Sequence, residues 1–120
     1  MAQQMHDHEK EALSKCMVNL DLIPAAPEYA DSKNPTRGKC YLASRALLEF
    51  LGGKDNGYSL MRAIDRLGVP HYWVSSREGA ILDATKAQYE ILGIDPPYQS
   101  GERKGYRPMN RHRVLLEAMG

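Results

Sequence analysis

The chain has 120 residues, 42% of them hydrophobic and 26% charged, with a formal net charge of +1. That length suits one domain, 1–120, burying roughly two-thirds of its unfolded surface, and the composition excludes a disordered chain. A balance so near neutrality argues against a broad phosphate-binding face, so nucleic acid is not an expected partner.

The opening Met1-Ala2-Gln3-Gln4-Met5-His6-Asp7-His8 lacks the apolar core of a secretory signal. No apolar run approaches the ~18 residues that cross a bilayer. A soluble, cytoplasmic protein is therefore expected, with Cys16 and Cys40 as free thiols in a reducing compartment. His6, His8 and Glu9 can ligate metals, but they are neighbours on a frayed terminus without further ligands, so no metal is expected. From His8 to Leu22, the spacing of Ala12, Leu13, Cys16, Met17 and Leu20 predicts a helix, with Cys16 as a buried small hydrophobe. Ile23-Pro24-Ala25-Ala26-Pro27 ends it, because proline cannot continue a helix.

A polar stretch, 28–38, leads to a second helix expected over about 39–51. There Leu42, Ala43, Ala46, Leu47, Phe50 and Leu51 repeat at three and four, and Gly52-Gly53 stops the pattern. Thr36, Ser32 and Asn34 are alternative caps. Ser59 to Leu67 is ambiguous. Leu60, Met61, Ile64 and Leu67 fit a helical face, which the pattern slightly favours, while Leu60 to Ile64 equally suits a half-buried strand. The runs His71–Ser75 and Ala80–Asp83, divided by a turn at Glu78-Gly79, predict a hairpin over about 70–84. Lys86 to Leu92 reads as a short helix ended by Gly93. Ile94 to Pro108, rich in Pro, Gly and Tyr, reads as a long ordered loop, and Asn110 caps a last helix through Met119, giving a loop-and-helix unit over 94–119. Arg103, Lys104, Arg107 and the run Arg111-His112-Arg113 read as solvated faces.

Three residues carry the chemistry: Cys40 at the start of the second helix, His71 at the start of one hairpin strand and Asp83 at the end of the other. Only the thiolate of a cysteine attacks well, and a helix N-terminus and a neighbouring imidazolium both favour that form. The histidine also supplies the proton for a leaving group. An aspartate on its second nitrogen fixes the tautomer and orientation. The N–H groups at the helix start can stabilise an oxyanion formed by attack at a carbonyl.

This ordered set, with His71-Tyr72-Trp73-Val74 and Ile81-Leu82-Asp83-Ala84-Thr85, resembles the transglutaminase-like branch of the papain-like cysteine fold over roughly residues 36–89. Gly38-Lys39-Cys40-Tyr41-Leu42-Ala43-Ser44-Arg45-Ala46-Leu47, with Gly52-Gly53-Lys54 and Asp83-x-Thr85-x-x-Gln88-Tyr89, also resembles small uncharacterised bacteriophage proteins. The resemblance implies an α+β, papain-like fold with N-terminal helices packed on a small antiparallel sheet. It favours a strand at Ser59–Arg66 against the helical preference. It further implies cofactor-free acyl chemistry through a thioester: Cys40 the nucleophile, His71 the general acid and base, Asp83 the orienter, with Trp73 and Gln88 lining the site. The substrate would be protein or peptide-like, a host protein in a phage setting. The chain departs from the pattern where a glutamine usually assists the oxyanion: Gln3 and Gln4 are distant, and Asn34 is the nearer amide.

Two function readings follow. The first is a small cysteine hydrolase or acyltransferase of the peptidase, deamidase or isopeptidase kind. The alternative is a non-catalytic, phage-encoded inhibitor that binds a host protein through Tyr98, Tyr106, Arg103 and Arg107, residue types common in binding hot spots.

Overall fold

A computed structural model of the chain describes residues 5–27 and 38–120. Helix α1 (Asp7–Met17) opens on a capping box in which the Glu9 carboxylate accepts the backbone N–H of His6 at 2.8 Å. Glu9 is buried and also accepts the Tyr58 hydroxyl at 2.6 Å, which ties the helix to the sheet. The helix start is therefore anchored, not frayed as expected. Ala12, Cys16 and, in the 3-10 turn Leu20–Leu22, Leu20 face the core.

Helix α2 (Cys40–Phe50) is the centre of the molecule and matches the helix expected over 39–51. Leu42, Ala43, Ala46, Leu47 and Leu48 are all buried, so two faces of this helix are covered at once. One packs on the sheet, the other on α1 and the C-terminal helix. Gly52, at φ +95°, closes it: a Cβ there would fall 2.0 Å from the Asn56 amide, which itself donates to the Leu51 carbonyl. The alternative caps Thr36, Ser32 and Asn34 lie outside the described residues.

The sheet comprises β1 (Ser59–Ile64), β2 (Pro70–Ser75), β3 (Ile81–Leu82) and β4 (Glu102–Arg103), ordered β3-β2-β1-β4 with every pairing antiparallel. β1 corrects the helical preference for 59–67. Six residues of β1 pair with β2, and two of the four apolar residues on the supposed helical face, Ile64 and Leu67, are 47% and 57% exposed. Leu60, Val74 and Leu82 join the core beneath α2, so by alternation Met61, Trp73 and Ser75 project from the other face.

Past the hairpin, α3 (Ala87–Leu92) ends at Gly93 as expected. The segment 94–108 is more structured than a loop: it contains the 3-10 turn Tyr98–Ser100 and then β4, which joins the sheet edge beside β1. Helix α4 (Arg113–Ala118) begins after His112 rather than at Asn110. His112 is buried and bonds the Glu49 carboxylate through Nε2, which corrects its reading as part of an exposed face. Its burial beside Leu115 and Met119 is what docks α4 on α2. Among the described residues, four α-helices and a four-stranded antiparallel sheet make an α+β fold.

Candidate active site

Cys40 is the first residue of α2, and the backbone sets it there. Gly38, at φ +85°, turns the chain, its carbonyl accepts the Ala26 N–H at 2.8 Å, and Lys39 enters the helix. The first intrahelical bond runs from the Ala43 N–H to the Lys39 carbonyl at 3.0 Å, so the N–H groups of Cys40, Tyr41 and Leu42 precede it. The Cys40 sulfur lies 3.9 Å from the carbonyl oxygen of Pro70, the residue before His71.

His71 sits wholly buried on β2, and Asp83 directly follows β3, the strand paired with it. The antiparallel pairing of these strands brings His71 Nε2 within 2.6 Å of Asp83 Oδ2. Cys40 also favours the protonated form of the imidazole. Burial works against the imidazolium, but the hydrogen bond and charge of Asp83, together with Cys40, outweigh it and raise His71 from 6.5 to about 9. Cys40, His71 and Asp83 are all buried, at 8%, 0% and 6% exposure, with His71 and Asp83 in direct contact and the Cys40 sulfur beside the backbone of Pro70.

Asp83 is held from several sides. Its Oδ1 accepts the Thr85 N–H at 3.1 Å and the Thr85 hydroxyl at 3.3 Å. Since that hydroxyl proton goes to Asp83, Thr85 can only accept from Gln88, whose Nε2 lies 3.1 Å away. The same nitrogen reaches to 3.4 Å of His71 Nδ1. Gln88 thus lies beside the imidazole, buried, and its N–H suits the neutral tautomer carrying the proton on Nε2. Trp73 is also buried, stacked 5.6 Å from His71, so it backs the imidazole rather than lining an open cleft.

Two residues escaped the sequence reading. Tyr98, assigned there to an exposed binding surface, donates its hydroxyl to Asp83 Oδ2 at 2.7 Å and sets its ring edge-on to Trp73 at 5.1 Å. The turn carrying it fits close: a Cβ on Gly101 would meet the Trp73 ring at 2.5 Å. No local pattern signals a contact between residues 83 and 98. Asp65 accepts the N–H groups of Leu67 and Val69, fixing the β1–β2 turn, and the hydroxyl of Tyr89, whose ring stands edge-on to His71 at 4.8 Å. The Asp65-Arg66-Leu67-Gly68 run is a recognisable turn signal. Of the other residues given to that binding surface, Tyr106 stacks over the Arg45 guanidinium at 4.7 Å, and Arg45 donates to the Arg107 carbonyl. Asn34, Gln3 and Gln4 lie outside the described residues.

Tyr98→Phe removes one donor from Asp83 Oδ2 and leaves that oxygen's full charge to His71. The expected result is a His71 titration moved to higher pH by NMR and a loss of about 1.5–3 kcal/mol in stability; an unmoved titration would count against the contact. Cys16 behaves differently from Cys40. It is 0% exposed, points at the Ala43 carbonyl, and burial pushes its thiol up to about 12. Substoichiometric iodoacetamide at neutral pH should therefore modify Cys40 alone in peptide maps, and comparable labelling of Cys16 would contradict this.

Comparison of the chain with family models, with curated proteins and with solved structures finds no match.

Proposed function

We propose that the protein is a small cysteine-dependent hydrolase or acyltransferase acting on an amide, isopeptide or related acyl bond, on a transglutaminase-like variant of the papain-like fold. The observation that supports this most is the buried His71–Asp83 pair at 2.6 Å, with the Cys40 thiol at a helix N-terminus 3.9 Å from the carbonyl oxygen of Pro70, the residue before His71. In the reaction, the Cys40 thiolate attacks the acyl carbon and the carbonyl electrons move onto oxygen, where the N–H groups at the start of α2 face the charge. Collapse of that adduct breaks the bond to the leaving group, to which His71 gives its Nδ1 proton, and leaves a thioester on Cys40. Water or an amine, deprotonated by neutral His71, then attacks the thioester and releases the thiolate. Asp83 retains its charge throughout and steadies the imidazolium.

The Tyr98 hydroxyl is committed to Asp83, and its place beside the His71–Asp83 pair favours the catalytic reading. An activated ester such as p-nitrophenyl acetate tests it without knowledge of the substrate. Intact-mass analysis should show an acyl adduct on Cys40, absent from Cys40→Ala and formed about 100-fold more slowly in His71→Ala. No adduct, or one indifferent to His71, sinks the proposal.

A further inference from the structure

On the sheet face that carries His71 and Trp73, the surface beyond the Tyr98–Gly101 turn opens into a groove of about 430 Å³. Lys54, Arg77 and Arg103 line it together with Ser59, Ser75 and Ser76, and no carboxylate does. The three cations come from separate elements: the turn after α2, the β2–β3 connection and β4. Among the described residues the ion pairs are His6–Glu78, Lys15–Glu11, His71–Asp83 and His112–Glu49, so none of the three is neutralised. Glu78, next to Arg77 in the chain, is held by His6 at 2.8 Å. Arg77 lies across Gly57, where a Cβ would meet its side chain at 2.9 Å; only a glycine leaves it that place. In a chain with a net charge of +1, three cations that make no ion pair among the described residues, set around one concavity, form a local positive field.

We propose that this groove binds an acidic peptide segment, with the carboxylates of alternate residues on Lys54, Arg77 and Arg103 and the backbone along the Ser59–Ser75 edge. Its role as a substrate subsite rests on the thiol chemistry proposed above; its capacity to bind does not. A peptide suits the groove better than a nucleic acid. Its sole aromatic residue, Tyr58, is buried with its hydroxyl on Glu9, which leaves no ring on which a base could stack. The sequence reads Arg103 as part of a solvated face; the groove contains it, with Lys54 and Arg77 as its other cations.

Fluorescence anisotropy with a labelled oligoglutamate peptide tests this on the full chain. Wild type and Cys40→Ala should bind equally, with an affinity that falls as salt rises. Arg77→Glu and Arg103→Glu, checked for folding by circular dichroism, should each weaken binding about tenfold, and an oligolysine peptide should not bind. Binding untouched by either reversal overturns the proposal, as does tighter binding of oligothymidylate, which would identify a nucleic-acid groove. If Cys40 proves inert while the peptide still binds in this pattern, the groove stands and the catalytic reading falls.

Discussion

Asp83→Ala should lower the free energy of unfolding at neutral pH by about 3–5 kcal/mol, because it leaves a buried imidazole without its counter-charge. The carboxylate receives the His71 ring, the Tyr98 hydroxyl and both Thr85 donors, all of which lose their acceptor together. The effect should depend on pH. His71 is raised from 6.5 to about 9 in the folded protein, so the stability it adds by holding a proton is fully present below 6.5 and is lost as the pH rises through about 9. The gap between wild type and Asp83→Ala in urea midpoints should therefore narrow over that interval. A gap of constant size would show that the imidazolium is not what Asp83 stabilises. Asp83→Asn keeps the volume and separates the charge from the shape: it should recover part of the stability but not the pH dependence.

Leu47→Ala should cost about 2–5 kcal/mol. Leu47 is fully buried at the middle of α2, the helix packed against the sheet on one side and against α1 and α4 on the other. A void there has no neighbouring loop to collapse into it, which places the expected loss in the upper half of that range. Because α2 also carries Cys40 at its start, the variant tests whether the site depends on the packing behind it. Folded Leu47→Ala should retain selective Cys40 alkylation while unfolding at a much lower urea concentration; a loss below ~1 kcal/mol would mean that α2 is not the centre of the core.

Much of this arrangement was legible because local chemistry and tertiary placement agree. The repeat of Leu42, Ala43, Ala46 and Leu47 marks α2, and Gly38 and Gly52-Gly53 bracket it. His71 and Asp83 could be placed together because one short hairpin connects their strands. Ser59 to Leu67 shows where pattern alone fails. Its apolar spacing is compatible with both helix and strand, and partners on either side, β2 and β4, supply the backbone bonds that decide. β4 was hidden for the same reason: two charged residues, Glu102 and Arg103, have no apolar alternation, and only pairing with β1 makes them a strand. His112 and Tyr98 are polar residues in polar stretches, and the acceptors that bury them, Glu49 and Asp83, lie 63 and 15 residues away. Glu9 was misread similarly, since its burial depends on Tyr58, 49 residues away.

The central claim is that His71 activates the thiol of Cys40. The most direct test is the rate of iodoacetamide alkylation as a function of pH, in a Cys16→Ala background, with and without His71→Ala. The account predicts that Cys40 alkylates readily at neutral pH, changes little until His71 gives up its proton near 9, and in His71→Ala needs the alkaline range of an ordinary thiol, around ~8.5 and above. Superimposable profiles for the two proteins would contradict it.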